Sequence, residues 1–380
     1  MYQEIKNIFQ AHFAQEPLLV YSPGRINLIG EHTDYNGGFV LPAAIDKKMV
    51  VAIAENGLKT CRLYSVDFKE EFAFEIDSFS PKPSHWATYI MGVVAQLQEA
   101  GYPVRGFDMV FGGDIPVGAG LSSSAALECA VGYGLSALFD FEIPRISLVH
   151  YAQKAEHTFA GVQCGIMDQF ASVMGKKDYA IRLDCRTLKF EYFPIDLGDY
   201  QLMLIDTKVK HSLSESAYNT RREECEAGVK AAQKIDSAVR DLRDVSLELL
   251  ERLEVSDVVK TRCKYVIEEN QRVLDACEAL SKGDLETFGK SVFASHQGLS
   301  QEYEVSCKEL DFLVDYAKNE SEILGARMMG GGFGGCTINI VNKAHVDRIK
   351  KEVRQQYQAL FGRNPEFYLV SPEEGSGRIG

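Results

Sequence analysis

Two stretches gather groups that could do chemistry. The first, GRINLIGEHTDYNGG at 24–38, sets Arg25, Glu31, His32 and Asp34 among Ile26, Leu28 and Ile29. Carboxylates and an imidazole around one turn can exchange several hydrogen bonds with one polyol, so a sugar-sized ligand fits the pattern. The alternative is an exposed hairpin with solvated charges, and for a lone EHTD that is the default. The second stretch is GDIPVGAGLSSSAALECA at 113–130. Gly118 and Gly120 let backbone approach a ligand closely. Ser122, Ser123 and Ser124 add hydroxyls where a small-residue helix starts, and its free N–H groups and dipole favour an anion. A plain strand-to-helix turn with a serine N-cap is the rival reading. Two glycines, three serines and a helix start together favour a phosphate cradle.

The cradle fits neither common nucleotide fingerprint. Ser123 stands where a dinucleotide fold needs its third glycine, and no lysine follows the glycines as a P-loop requires. In GDLETFGKS at 283–291, Gly283 and Gly289 lie one residue too far apart for a P-loop. That segment reads as a solvated part of a helix.

Two more carboxylates need explaining. Glu156 falls on the stripe marked by Ile146, Val149, Ala152 and Phe159 in an amphipathic helix predicted over 145–160. A carboxylate there must bind a metal, pair with an arginine, or reach water at the stripe edge. Asp168, in GVQCGIMDQFASVMG, opens a short helix beside Met167, Phe170 and Met174. The helix dipole already favours an acid there, so spacing alone does not make it catalytic.

The elements that must hold these groups are mixed. Strands are predicted across 18–54, with Asn36, Gly37 and Gly38 as a turn. Strand, glycine-rich loop and helix follow over 107–139. A short helix is expected at 166–174, and strands near 178–184, 187–193 and 200–206. The character changes after Asp206: 215–320 reads as helical with Lys/Glu-rich faces. ARMMGGGFGGCTINIV reads as strand, glycine loop and strand, followed by a helix near 344–360 and a strand near 366–370. The class is α+β. A chain of 380 residues exceeds one ordinary core, so two domains are expected, at 1–194 and 195–380.

The net charge of −13 argues against a nucleic-acid binder or an anionic-membrane binder. Nine cysteines occur with no C-x-x-C pair and no secretory leader, so reduced thiols in the cytoplasm are the expectation. No apolar run has the length of a membrane span.

Taken together, GRINLIGEHTDYNGGFVLPAAI, GDIPVGAGLSSSAALE and GGGFGGCTINIV resemble the three motifs of the sugar-kinase branch of the GHMP kinases. The first is similar almost residue for residue to the galactokinase signature, and GVQCGIMDQF resembles the segment that carries that family's catalytic aspartate. The segments occur in the family's order across nearly the whole chain. The resemblance implies a ribosomal-S5-like N-terminal domain and a ferredoxin-like C-terminal domain, with the active site between them. It implies ATP-dependent phosphorylation of α-D-galactose at its C1 hydroxyl, the first committed step of the Leloir pathway.

Carried over by position, the resemblance makes Asp168 the group that faces the C1 hydroxyl and Arg25 its catalytic partner near the transferring phosphoryl. Glu31, His32, Thr33, Asp34 and Tyr218 would bind the sugar. Gly118, Ala119, Gly120, Leu121, Ser122, Ser123 and Ser124 would hold the nucleotide phosphates. Ser124 and Glu156 would coordinate Mg²⁺, and the glycines at 330–335 would support the cleft. Positioning and charge neutralisation are what phosphoryl transfer mainly asks of a protein. Whether Asp168 takes the proton early or late stays open. The sequence departs from the family pattern at Met329, where threonine is common, and at Asp114, where asparagine is frequent.

Galactose and ATP are the partners so implied, with a monomer expected. The same branch also allows N-acetylgalactosamine or L-arabinose as substrate. A catalytically silent sugar sensor would show damage in the serine loop, Arg25 or Asp168, and all are intact. A dinucleotide-dependent oxidoreductase is disfavoured by the missing third glycine.

Overall fold

A computed structural model describes residues 1–116, 118–209 and 214–379. Val117, inside the glycine-serine motif, lies outside the described residues. Among those described, the strands form three sheets. The largest has the order β13-β1-β3-β6-β4-β5, built from β1 (Leu18–Asn27), β3 (Pro42–Glu55), β4 (Thr60–Ser65), β5 (Glu70–Glu75), β6 (Phe107–Gly113) and β13 (Gly377–Arg378). Only the β4–β6 pairing is parallel among its pairs.

The run MVVAIA in β3 shows why this sheet is covered on both faces. Met49, Val51 and Ile53 join the main core, while Val50, Ala52 and Ala54 pack with Ile5 and Phe9 of α1 (Tyr2–Phe13). Successive side chains of a strand point to opposite faces, so a continuous apolar run needs two partners. On the main-core side α3 (Ser123–Leu138) and α5 (Met167–Met174) lie against β1 and β3, and α2 (Ala87–Glu99) and α4 (Arg145–Ala155) pack on α3.

The second sheet has the order β10-β11-β9-β12, from β9 (Tyr200–Asp206), β10 (Ile323–Met329), β11 (Cys336–Asn342) and β12 (Glu366–Val370). Around it lie α8 (Asp257–Ser281), α9 (Leu285–Gln301), α10 (Lys308–Lys318) and α11 (Val346–Phe361), with α6 (Ser214–Ile235) and α7 (Leu247–Glu251) packed on α8. The third sheet joins β2 (Phe39–Val40), β7 (Tyr179–Asp184) and β8 (Phe190–Pro194).

The α+β class expected from the sequence is the class that forms. The expected division at 194/195 falls in the link between β8 and β9, yet the tail crosses back, because β13 pairs with β1. One apolar core also joins Val20 and Met109 to Leu204, Val273 and Ile338 across that division.

Two local expectations need correction. The helix predicted over 145–160 stops at Ala155 and continues as one π-helical turn, Glu156–Ala160. Its buried face is Leu148, Val149, Ala152 and Ala155, whereas Ile146 is exposed. The segment 283–291 is helical but not simply solvated. Phe288 is buried in the core, and a Cβ on Gly289 would sit 2.1 Å from the Leu324 carbonyl oxygen, so α9 lies directly on β10. No helix among the described residues is long and apolar enough to cross a membrane.

Candidate active site

The turn 28–39 is held from three directions. Thr33 Oγ1 lies 2.8 Å from the Gly30 carbonyl oxygen and 2.6 Å from that of Phe39, and Asn36 Nδ2 donates to the His32 carbonyl at 2.8 Å. From α8, Tyr265 donates its hydroxyl to the Glu31 carbonyl at 2.9 Å, Glu269 accepts from Gly30 N–H, and Asn270 accepts from Phe39 N–H. A Cβ on Gly38 would meet Asn270 Oδ1 at 2.4 Å, so only glycine lets α8 come this close. His32 is fixed in the left-handed region at φ 62°. Such strain persists where surrounding bonds over-determine the backbone, and it is concentrated at functional sites.

At the start of this turn, β1 carries a register shift between Pro23 and Arg25 in its pairing with β3. A bulge of this kind re-aims a side chain. Here it sends Arg25 into the molecule, where Nε donates to Asp168 Oδ1 at 2.7 Å and Nη2 to Asp168 Oδ2 at 2.8 Å. Its Nη1 donates to the Gly120 carbonyl at 2.6 Å. One arginine therefore ties the first motif to the aspartate of α5 and to the glycine-serine loop. The Ser122 hydroxyl also donates to Asp168 Oδ2.

The loop itself is made of backbone. Gly118, Gly120 and Ser122 all have positive φ, at 79°, 73° and 58°. Ala119 and Leu121 turn their side chains into the core. Ser122 precedes α3 but makes no side-chain cap, so the first N–H groups of α3 lack the usual serine acceptor. A cradle of free N–H groups at a helix start suits a phosphate.

Glu156 lies at the π-helical turn. Its Oε1 is 3.4 Å from Ser124 Oγ, while Oε2 accepts from Gln169 Nε2 at 2.7 Å and from Cys164 Sγ at 3.3 Å. Burial, then the charge of Asp168, raises its pKa. No arginine reaches it among the described residues, which leaves the ion-pair reading without support. Behind it, Glu128 is fully buried, accepts from Gln169 Nε2 at 3.3 Å, and leaves Oε1 without a partner. Burial and the Glu156 charge push Glu128 well above the usual carboxylate range.

Arg25, Asp168 and Glu156 meet at a cavity of about 440 Å³, whose lining does not include the 118–124 loop. Its lining includes Arg25, Glu31, His32, Asp34, Glu156, Asp168 and Tyr218, together with Gly330, Gly331 and Gly332. His32 Nδ1 is 2.8 Å from the Tyr35 hydroxyl, and its Nε2 has no partner. Burial holds the ring pKa at about 3, so it is neutral at pH 7. Asp34 has its pKa raised to about 6, first by burial and then by Asp168. The Tyr218 ring stands 5.4 Å from the His32 ring.

Thr33 stands apart from the other residues expected at the sugar. It is fully buried, its hydroxyl is used by the turn, and it does not line the cavity. Neither departure from the family pattern lines the cavity: the Met329 side chain packs in the core, and Asp114 accepts from Lys48 N–H at 2.7 Å.

Several site groups went unnamed in the sequence. Gln163, Cys164 and Gly165 line the cavity, and a Cβ on Gly165 would overlap Asp34 Oδ2 at 1.7 Å. Gln169 and Glu128 were readable: one adjoins Asp168, and the other lies one helical turn beyond Ser124. Arg327, paired with Glu31, carried no local signal.

No cluster of three or more His, Cys, Asp or Glu able to hold a metal occurs among the described residues. The pair of Ser124 and Glu156 nonetheless suits Mg²⁺, which is usually held by one or two protein oxygens together with substrate phosphates.

Comparison with known proteins fits this geometry. Family models match for the GHMP kinases N terminal domain at 88–176, the galactokinase galactose-binding signature at 7–55 and the GHMP kinases C terminal region at 276–359. A galactokinase of Thermotoga maritima is 45% identical over 95% of this chain and 99% of its own length. One of Roseiflexus is 41% identical over 99% of this chain and 97% of its own. The crystal structure of Lactococcus lactis galactokinase complexed with galactose superposes with a TM-score of 0.95 at 37% identity, covering 99% of both chains. A mevalonate kinase of Methanococcus jannaschii, at 17% identity and a TM-score of 0.69 over 94% of this chain and 99% of its own, shares the fold.

Proposed function

This chain belongs to the galactokinase family of the GHMP kinases, and we propose that it transfers the terminal phosphoryl group of ATP to the C1 hydroxyl of α-D-galactose. The products are galactose 1-phosphate and ADP. The observation that carries the reading is the two-pronged Arg25–Asp168 pair, facing a cavity whose wall is Glu31, His32, Asp34 and Tyr218.

The roles follow from the contacts. Asp34, Glu31 and the neutral His32 ring offer acceptors and a donor to sugar hydroxyls, and the rings of Tyr218 and His32 close one side. Asp168 is held in a fixed plane by Arg25 and Ser122, so its carboxylate orients the C1 hydroxyl and accepts its proton during transfer. Arg25 offsets negative charge as the phosphoryl moves. The backbone of 118–124 and the start of α3 hold the nucleotide phosphates. Ser124 and Glu156 would hold Mg²⁺, which supplies charge neutralisation for the phosphates when bound.

The test is an ADP-release assay with ATP, Mg²⁺ and a sugar panel of galactose, N-acetylgalactosamine, 2-deoxygalactose, glucose and L-arabinose. NMR of the product locates the phosphate. Turnover on galactose with phosphate at C1 is expected. Turnover restricted to another sugar would change the substrate, and galactose binding without turnover would make the protein a sensor.

A further inference from the structure

Arg327 is a fully buried guanidinium, and it does not line the cavity. It comes from β10, next to the glycine loop, and reaches into the turn that builds the sugar wall. Nε donates to the Leu28 carbonyl at 2.8 Å, Nη2 to the Asn27 carbonyl, and Nη1 to the Met328 carbonyl at 2.6 Å. The same Nη1 lies 2.6 Å from Glu31 Oε2. Asn27 Nδ2 donates to that oxygen too, at 3.2 Å. Both donors converge on Oε2, and among the described residues none reaches Oε1. Glu31 is itself part of the cavity lining.

We infer that Arg327 is a positioning residue for substrate selection: it clamps one oxygen of Glu31 so that the other is presented to a sugar hydroxyl. The inference rests on the reading of Glu31 as a sugar ligand. Burying a guanidinium and a carboxylate is costly, and an apolar pair of the same volume often serves stability as well or better. The pair is therefore poorly explained as a stability device. It is well explained if the carboxylate must stay charged and fixed in one rotamer beside the ligand. Only a planar fork serves three carbonyls and a carboxylate at once, so lysine is no substitute.

The experiment uses R327K, E31Q and the double variant R327M/E31Q in the full chain. Galactose affinity is measured by calorimetry, together with that of a series of monodeoxygalactoses, the KM for ATP and thermal unfolding. R327K is expected to weaken galactose binding about tenfold or more while the KM for ATP stays within about twofold. The deoxy position whose penalty disappears in E31Q should lose its penalty in R327K as well. R327M alone leaves Glu31 buried without its partner and risks the fold. R327M/E31Q removes both charges, and should bind galactose no worse than E31Q.

Equal weakening of every sugar, with the deoxy penalties unchanged, would overturn the inference and leave Arg327 a structural residue. So would a double variant that unfolds as E31Q does yet binds galactose much more weakly. Wild-type chain with no galactose affinity would instead bring down the function on which the inference stands.

Discussion

Two carboxylates face one cavity and are treated in opposite ways. Asp168 has its charge answered by the protein: both oxygens take a guanidinium N–H, and Ser122 adds a third donor. Glu156 receives only neutral donors, from Gln169, Cys164 and a distant Ser124, and the still more buried Glu128 stands behind it. A buried acid without a cation costs free energy until something neutralises it. The first station is thus complete in the protein alone. The second has no cation partner among the described residues, and the proposed Mg²⁺ would supply one together with the nucleotide.

The sharpest way to break this contrast is at Asp168. In Asp168→Asn the side chain keeps its shape but turns an N–H₂ toward Arg25 or Ser122 and cannot accept a proton. Turnover is expected to fall about a hundred- to ten-thousandfold, while galactose affinity by calorimetry changes only a few-fold. Turnover close to wild type would remove Asp168 from the proton path.

Glu156→Gln tests the other station with a smaller effect. The amide keeps the length and loses the charge, so half-saturating Mg²⁺ should rise about tenfold or more at fixed ATP. Binding of Mn²⁺ with nucleotide, followed by electron paramagnetic resonance, should weaken in parallel, and galactose affinity should not move. An unchanged Mg²⁺ titration would leave Glu156 as a buried acid with no metal to explain it.

The same contrast explains which parts were legible in the sequence. Chemistry written locally was readable. Glycine and serine types marked the loop proposed to hold phosphates, and the charged turn with Asn36, Gly37 and Gly38 marked the wall proposed for the sugar. What holds those parts comes from far along the chain. Tyr265, Glu269, Asn270 and Arg327 clamp the turn across more than half the sequence, and no periodicity encodes such contacts. The π-helical turn was hidden for a different reason: one wide turn leaves the apolar spacing nearly intact while it shifts Glu156 relative to α4. The burial of Thr33 was not legible, because its neighbours Glu31, His32 and Asp34 line the cavity, and a buried hydroxyl in a tight turn looks the same in sequence as a ligand.

Asp34 offers a test by pH. Burial, Asp168 and Glu31 raise its pKa while Arg25 lowers it, and the outcome is about 6. Sugar hydroxyls donating to the carboxylate favour its charged form, so its pKa falls on binding. Galactose affinity should therefore drop as pH falls through 6, by about tenfold between pH 7 and pH 5. The stability of the free protein moves the other way. A carboxylate whose pKa is raised by folding contributes stability below its unfolded pKa of 3.8, and that contribution is lost as pH rises through 6. Asp34→Asn should flatten both profiles. Calorimetric affinities that keep their pH dependence in Asp34→Asn would assign the titration to another wall group.

The smallest effect is expected at Thr33, where the sugar wall meets its scaffold. Its hydroxyl serves two backbone carbonyls of the turn and no cavity surface. Thr33→Val keeps the shape and leaves those carbonyls short of a donor, at a cost of about 1–2 kcal/mol. Thermal unfolding should shift down by a few degrees, Thr33→Ser should recover most of it, and KM for galactose should stay within about twofold in both. A tenfold rise in KM for galactose with unfolding unchanged would place Thr33 at the sugar site. It would also mean that the turn presents a face to the ligand other than the one drawn by Glu31, His32 and Asp34.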